Sequence, residues 1–153
     1  HGEIGVESGA GGSRFWVRLQ AAETAPQASA CEGTVLYIED NAVNLLLMEA
    51  MLEHEPGVRL ITAQDPLLGI TLARTERPQL ILLDIQLPGI DGFEVLRRLR
   101  NAAATRDTPV IAISANAMHS DIQQGLDAGF DDYLTKPLDL TRLRARVRRA
   151  LRR

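Results

Sequence analysis

The chain has 153 residues, 45% of them hydrophobic, and a formal net charge of −3. This length suits one domain with a smaller appendage, and the acidic balance argues against binding to nucleic acid. Cys31 is the single cysteine, which excludes a disulfide within the chain and is typical of a reducing compartment. No apolar run approaches the roughly 20 residues that span a bilayer, so we expect a cytoplasmic location without direct membrane contact.

Residues 1–20 show the pattern of a β-hairpin around the glycine-rich stretch 9–13. The alternating apolar residues are Ile4, Val6, Phe15, Val17 and Leu19. The stretch is not a P-loop, because no Gly-Lys-Ser/Thr follows it. Residues 21–33 lack an apolar period and are rich in Ala, Ser, Thr and Pro, which indicates a linker.

From Thr34 onward, apolar strands alternate with amphipathic segments of helix length. We predict strands at about 34–38, 58–62, 79–83, 109–113 and 131–135. We predict helices at about 41–54, 65–76, 92–103, 117–128 and 139–152. Five strands that alternate with five helices predict an α/β domain, with a doubly wound parallel sheet covered on both faces. Residues 34–153 suffice for this fold, whereas a (β/α)₈ barrel needs about 250.

The stretch Leu80–Gly92, LILLDIQLPGIDG, predicts a reactive carboxylate at the end of a buried strand. Its apolar run ends at Asp84, and Pro88 and Gly89 then force a turn. Asp91 is expected to cap the next helix, because a Glu follows three positions later. Asp84 therefore follows the carboxyl end of a strand, where ligands gather in open α/β sheets.

Other predicted strands also end in polar residues. The first ends in Glu39 and Asp40, the fourth in Ser114, and the fifth in Lys136, which is the only lysine of the chain. Carboxyl ends of parallel strands share one edge of the sheet, so we expect these side chains to lie near Asp84. Two like charges 4 Å apart repel by roughly 4 kcal/mol at an effective dielectric of 20, and a Mg²⁺ ion would relieve this repulsion.

Asp40 and Asp84 could bind Mg²⁺ directly, with Glu39 acting through water. A carboxylate beside a metal ion, an ammonium group and a hydroxyl is equipped to attack a phosphoryl group. Asp84 would be the nucleophile, while the metal and Lys136 would stabilise the transferring oxygens.

Seven dispersed residues stand at spacings shared with a known family, namely Glu39, Asp40, Asp84, Ser114, Tyr133, Lys136 and Pro137. Residues 34–153 resemble the receiver domain of two-component response regulators at these positions. The resemblance implies a flavodoxin-like (βα)₅ fold with strand order 2-1-3-4-5. It also implies that Asp84 accepts a phosphoryl group from a phosphohistidine in a Mg²⁺-dependent reaction.

The resemblance further assigns roles around Asp84. Asp40, Asp84 and the main-chain carbonyl of Gln86 would bind the metal, Lys136 would pair with the acyl phosphate, and Ser114 would swing in to hydrogen-bond it. A switch residue, Tyr133, would then rotate inward and alter the face built from the fourth helix, fifth strand and fifth helix. The Lys136–Pro137 peptide bond is expected to be cis, as in the family.

Residues 1–20 are similar to the last hairpin of histidine-kinase ATP-binding domains, through GVES at 5–8 and GSRFW at 12–16. This similarity implies that 34–153 is the C-terminal receiver of a hybrid sensor histidine kinase, the cytoplasmic part of a membrane-bound sensor. Its partners would be the phosphohistidine of its own or a cognate kinase and a histidine phosphotransfer protein. We expect no ATP binding by this chain, and no enzymatic activity of the receiver beyond its own phosphorylation. Because the first residue is His, we expect the chain to be part of a longer protein.

Two alternatives remain for the function. An aspartyl phosphatase of the haloacid-dehalogenase type also uses Asp, Lys, Ser or Thr, and Mg²⁺. It places its nucleophile after the first strand in an Asp-x-Asp pattern, whereas Asp84 follows the third predicted strand and Gln86 replaces the second Asp. The other alternative is a scaffold that is never phosphorylated, against which the presence of every expected site residue argues.

The segment 141–153 carries seven arginines on a predicted amphipathic helix. We interpret its basic side as a solvated face, with a docking surface for a partner as the alternative. Asp131 and Asp132 are likewise interpreted as solvated loop residues. A DNA-binding output is not expected, because the sequence shows no helix-turn-helix segment.

Overall fold

A computed structural model describes residues 3–9, 12–18 and 31–153 of the chain. The chain divides into two compact units, His1–Ala30 and Cys31–Arg153. In the first unit, strands β1 (Glu3–Gly9) and β2 (Gly12–Arg18) pair in antiparallel register, as expected for a hairpin. The part of the predicted linker that precedes Cys31 lies outside the described residues.

The second unit alternates five strands with five helices. Its strands are β3 (Gly33–Ile38), β4 (Val58–Ala63), β5 (Leu80–Asp84), β6 (Val110–Ser114) and β7 (Asp132–Thr135). Its helices are α1 (Ala42–Leu52), α2 (Pro66–Glu76), α3 (Gly92–Asn101), α4 (His119–Ala128) and α5 (Leu140–Leu151). Each strand and helix begins and ends within two residues of the predicted bounds. Gly33, which the sequence assigned to the linker, is the first residue of β3.

The five strands form one parallel sheet in the order β4-β3-β5-β6-β7. Counted within this unit, the order is 2-1-3-4-5, which confirms the predicted flavodoxin-like topology. The central strand β5 is buried along its whole length, because helices cover both faces of the sheet.

Side chains of successive strand residues point to opposite faces and build two separate cores. In β5, Ile81 and Leu83 belong to the core beneath α2 and α3, whereas Leu80 and Leu82 belong to the core beneath α1 and α5. This alternation fixes the strand register, because a slip of one residue would exchange the two faces.

Aspartate and asparagine side chains begin most of the helices. Asn41, Asp65, Asp91 and Asp139 each accept a hydrogen bond from a backbone N–H in the first turn of α1, α2, α3 and α5. The predicted cap at Asp91 is thereby confirmed, with its Oδ1 2.9 Å from the Glu94 nitrogen. Among the residues that the structure describes, no helix combines the length and apolar character needed to cross a membrane.

Candidate functional site

Polar side chains cluster at the carboxyl edge of the sheet, where β3, β5, β6 and β7 end. Glu39 and Asp84 are 1% and 3% exposed, and Ser114 is equally buried, whereas Asp40 is open to solvent. One carboxylate oxygen from each of Glu39, Asp40 and Asp84 lies within 4.8 Å of the others. The three carboxylates predicted to converge are therefore brought together by the strand ends.

Lys136 provides the positive charge that faces these carboxylates. Its Nζ lies 2.7 Å from Asp84 Oδ2 and 2.8 Å from Glu39 Oε2. The side chain reaches back from the end of β7, and the peptide bond between Lys136 and Pro137 is cis. A single ammonium group thus bridges two buried carboxylates, and Asp40 adds a third negative charge beside them.

The residues that follow β5 hold Asp84 in place. The N–H of Ile85 donates to the carbonyl of Ile113 on β6, and the N–H of Gln86 donates to Asp84 Oδ1 at 2.8 Å. Gly92, the first residue of α3, lies so close that a Cβ there would stand 2.6 Å from Ile85 Cα and 2.8 Å from the Asp84 carbonyl oxygen. Only glycine therefore fits this close approach of helix to strand end.

Glu39 is held by donors on both of its oxygens. Its Oε2 accepts from the Tyr37 hydroxyl at 2.9 Å as well as from Lys136, and its Oε1 accepts from the N–H of Asn41 at 3.1 Å. Asn41 in turn caps α1, so the first turn of that helix is tied to the site. The sequence reasoning missed Tyr37; the available signal was a phenol in a buried strand, two residues before Glu39 and hence on the same face.

The electrostatic balance of the cluster is set by burial and by these hydrogen bonds. Burial works to raise the pKa of Glu39, but the bonds from Lys136, Asn41 and Tyr37 outweigh it and lower the pKa to about 2. Burial raises the pKa of Asp84, against the opposing effect of Lys136, and the neighbouring Glu39 carboxylate raises it further. Burial opposes the charged form of Lys136, yet the two carboxylates raise its pKa. The burial of Tyr37 and the charge of Glu39 raise the pKa of its phenol, which keeps it a donor.

Ser114 and Tyr133 lie on neighbouring strands beside the loop that follows β6. Ser114 Oγ accepts from the N–H of Asn116 at 3.1 Å, and the Tyr133 hydroxyl donates to the Asn116 carbonyl at 3.1 Å. The N–H of Lys136 donates to the Ser114 carbonyl, which ties β7 to β6 at the site. The Tyr133 ring packs on α4 at Gly125, where a Cβ would stand 3.0 Å from ring atom Cδ2. One loop residue, Asn116, therefore connects the two proposed switch residues.

The structure thus gathers Glu39, Asp40, Asp84 and Lys136 into one contact network and places Ser114 at the end of the strand next to that of Asp84. Gln86 contacts Asp84 through its N–H, and the metal role predicted for its carbonyl stays a prediction. The donor set consists of carboxylate oxygens in excess over one ammonium group, which is the chemistry that suits a hard divalent cation.

Comparisons with known proteins agree with this fold and site. The family model of the response regulator receiver domain matches residues 35–148. The transcriptional regulatory protein CseB of Streptomyces coelicolor is 42% identical over 119 residues, which are 78% of this chain and 49% of that protein. The sensor protein GacS of Pseudomonas syringae is 33% identical over 124 residues, which are 79% of this chain and 14% of that protein.

A solved structure gives the same result. It is the receiver domain of the sensor histidine kinase PA1611 from Pseudomonas aeruginosa, with a magnesium ion coordinated in its active site cleft. It is 34% identical with a TM-score of 0.72, and the match covers 80% of this chain and 99% of that chain.

The fold and the strand-end cluster define the receiver class of two-component signalling proteins. This chain belongs to the response regulator receiver family, as the sequence resemblance predicted. The chain spans 49% of the length of CseB and 14% of the length of GacS.

Proposed function

We propose that Asp84 is the phosphoacceptor of this receiver domain and takes its phosphoryl group from a phosphohistidine. An Asp84 carboxylate oxygen attacks phosphorus, the P–O bond forms, and the P–N bond to the imidazole breaks, with the imidazole leaving as a neutral ring after protonation. The observation that carries this proposal is the convergence of Lys136 and two further carboxylates on Asp84 at the end of the central strand.

Mg²⁺ is the metal that the carboxylate cluster fits. Asp40, Asp84 and the main-chain carbonyl of Gln86 would hold it, and Glu39 would contact it through water. When bound, the ion would neutralise charge on the transferring oxygens. The magnesium ion described for the PA1611 receiver supports this choice.

Lys136, Ser114 and Tyr133 would couple the chemistry to the outer surface. Lys136 would move from Asp84 Oδ2 to the phosphoryl oxygens. The Ser114 hydroxyl would give up its hydrogen bond with the Asn116 N–H and would itself donate to a phosphoryl oxygen. Because Tyr133 also bonds Asn116, this movement would free its ring to rotate inward and reshape the face of α4, β7 and α5. The direct ties between these residues and one loop support the proposed switch.

Neither alternative function is favoured by an observation. Asp84 ends the third strand of the parallel sheet and not the first, unlike the nucleophile of the haloacid-dehalogenase phosphatases. The contacts from Lys136 to Asp84 and Glu39 are of the kind a reactive site needs, which a pure scaffold would not require.

A hybrid sensor histidine kinase is the parent protein that we propose. The similarity to GacS and to the PA1611 receiver supports a receiver within a sensor protein. Strands β1 and β2 form the antiparallel hairpin that this origin requires, with Glu3 opposite Arg18 in the strand register. We assign residues 1–20 to the end of a kinase ATP-binding domain on the patterns GVES at 5–8 and GSRFW at 12–16, and residues 21–32 to the linker, since Gly33 begins β3.

The partners of this proposal are a kinase phosphohistidine and a histidine phosphotransfer protein. The first half of α1 exposes apolar side chains, with Val43 at 70% and Leu46 at 64%. Leu47 of the same helix and Lys136 line one concavity of about 390 Å³ beside the site. An apolar helix surface next to the phosphoacceptor suits docking of a helical donor.

A cytoplasmic location accompanies this proposal, since the free thiol of Cys31 suits a reducing compartment.

The test of the proposal is the intact mass of the protein after incubation with acetyl phosphate, with and without Mg²⁺. We expect a gain of one phosphoryl group only when Mg²⁺ is present, and loss of that mass at alkaline pH, as for an acyl phosphate. No gain with Mg²⁺, or an equal gain without it, would overturn the proposed reaction.

A further inference from the structure

Tyr37 is a fully buried phenol whose hydroxyl reaches the phosphoacceptor site from the core. Its ring packs among the apolar side chains beneath α1 and α5, and its exposed fraction is 0%. A buried hydroxyl costs free energy unless it finds a partner, and an apolar side chain would fill the same space without that cost. The hydroxyl meets Glu39 Oε2 at 2.9 Å, so this polar group is directed at the site and at nothing else in the core.

The oxygen that Tyr37 contacts is the one that Lys136 also contacts. Glu39 Oε2 accepts from the phenol at 2.9 Å and from the ammonium group at 2.8 Å, while the same ammonium group donates to Asp84 Oδ2 at 2.7 Å. A continuous line of hydrogen bonds therefore leads from the core to the phosphoacceptor. Glu39 Oε1 is held separately by the N–H of Asn41.

This line determines where the ammonium group can lie. With the phenol present, Glu39 Oε2 satisfies part of its hydrogen-bonding capacity from the core side, and Lys136 is shared between Glu39 and Asp84. Without the phenol, Oε2 would have Lys136 as its only donor. The carboxylate would then be held by the Asn41 N–H and Lys136 alone, and the ammonium group would be drawn toward Glu39 and away from Asp84.

We propose that Tyr37 is a positioning residue of the phosphoryl-transfer site: its hydroxyl fixes the Glu39 carboxylate and, through it, the Lys136 ammonium group opposite Asp84. The inference rests on the proposed function of Asp84, and it adds a requirement for one particular hydroxyl in the core. A residue that served only to fill the core would act through its ring and not through its oxygen.

The chain offers a direct reporter of this arrangement, because Lys136 is its only lysine. Incorporation of isotopically labelled lysine gives one side-chain signal, whose chemical shift follows the surroundings of Nζ. The variant Tyr37→Phe removes the hydroxyl and keeps the ring. Val35→Ala is the matched control, since Val35 is buried in the same core but lies outside the line of hydrogen bonds.

We expect Tyr37→Phe to shift the Lys136 signal in Mg²⁺-free protein, and to change the Kd for Mg²⁺ by about threefold to tenfold, the effect of one lost hydrogen bond. Val35→Ala should lower the thermal midpoint and leave both quantities near those of the unchanged protein. The positioning role is overturned if either the Lys136 signal or the Mg²⁺ affinity of Tyr37→Phe matches that of Val35→Ala. The Lys136 signal needs no phosphorylation, so it tests the role of Tyr37 even if acetyl phosphate fails to label Asp84.

Discussion

Two buried glutamates, Glu39 and Glu55, show how the same side chain serves opposite purposes in one domain. Glu55, 6% exposed, lies in the loop between α1 and β4 and faces two guanidinium groups of α5. Arg148 donates from Nε and Nη2 to its two oxygens, each at 2.9 Å, and Arg144 Nε lies 2.9 Å from Oε1. Glu39, 1% exposed, instead shares one ammonium group with Asp84.

The difference lies in the balance of charge. At Glu55, one carboxylate faces two guanidinium groups whose planar shape fits it closely, so its negative charge is fully compensated. These ion pairs tie α5 to the loop before β4. At Glu39, three carboxylates face one flexible lysine, which leaves net negative charge at a strand end. A complete pair stabilises structure, whereas the unbalanced cluster can bind a cation and react.

The largest effect is expected from Asp84→Asn, because the nearly isosteric amide is not a nucleophile. This variant should gain no phosphoryl group from acetyl phosphate in the presence of Mg²⁺, as read by intact mass. Asp91→Asn is the matched control, since Asp91 caps α3 and asparagine caps a helix equally well; it should label like the unchanged protein. Full labelling of Asp84→Asn would refute the assignment of the phosphoacceptor.

Asp40→Ala tests the cluster of three carboxylates that face one lysine. Removing one carboxylate from a mostly hydrated ion should weaken Mg²⁺ binding by about tenfold or more. Glu53→Ala, a similar charge change at the end of α1 and away from the cluster, provides the control. Calorimetric titration with Mg²⁺ measures both, and equal affinities for the two variants would count against the metal site.

Glu55→Ala tests the ion pairs of Glu55 with Arg144 and Arg148. The loss of this carboxylate should lower the free energy of unfolding by about 1–3 kcal/mol, a reduced value because the partner arginines can still reach water. Mg²⁺ affinity should stay unchanged, because Glu55 lies outside the cluster. The exposed Glu49 of α1, which makes no ion pair among residues 31–153, supplies the control Glu49→Ala. Urea unfolding measures the stability, and equal stability of the two variants would contradict the structural role of Glu55.

The sequence predicted the unbalanced cluster better than the balanced pair, for a physical reason. The change from apolar to polar residues indicates where a strand ends. Because the strands are parallel, Glu39, Asp84 and Lys136 then lie at one edge of the sheet. Glu55 and Arg148 are 93 positions apart on a loop and a helix, and no periodicity relates them.

Surface charges were predicted only in part, for the same reason, although Arg142, Arg149 and Arg153 are exposed as expected. The arginines of α5 were expected to be a solvated face, but Arg144 and Arg148 bind Glu55, and Arg146 pairs with Asp132. Asp131, also expected to be solvated, accepts from the N–H of Val110. Such pairings depend on how helices and loops lie against each other, which local sequence does not specify. The strand order, likewise, came from the family resemblance and not from the strand patterns.

Lys136→Arg asks whether a point charge and a planar group are interchangeable at the unbalanced cluster. The metal site and Asp84 remain, so we expect the variant to accept a phosphoryl group. Arginine is bulkier and planar, so the structural change caused by phosphorylation of Asp84 should be transmitted poorly to Ser114 and Tyr133. Amide NMR shifts on phosphorylation measure this over residues 114–145. If the variant reproduces the pattern of the unchanged protein, Lys136 has no coupling role.

The smallest effect is expected from removing the first unit, because the receiver carries both of its cores within residues 31–153. A chain that begins at Cys31 should keep the thermal midpoint of the whole chain within about 3 °C. One that begins at Thr34 loses the hydrogen bond from the Gly33 N–H to the Gly57 carbonyl, 3.0 Å long, and the contact of Arg152 with the Cys31 thiol. At roughly 1 kcal/mol for such a loss, its midpoint should fall by a further 2–5 °C or so. Thermal unfolding of the three chains decides: a fall of about 10 °C already at Cys31 would show that the preceding residues stabilise the receiver.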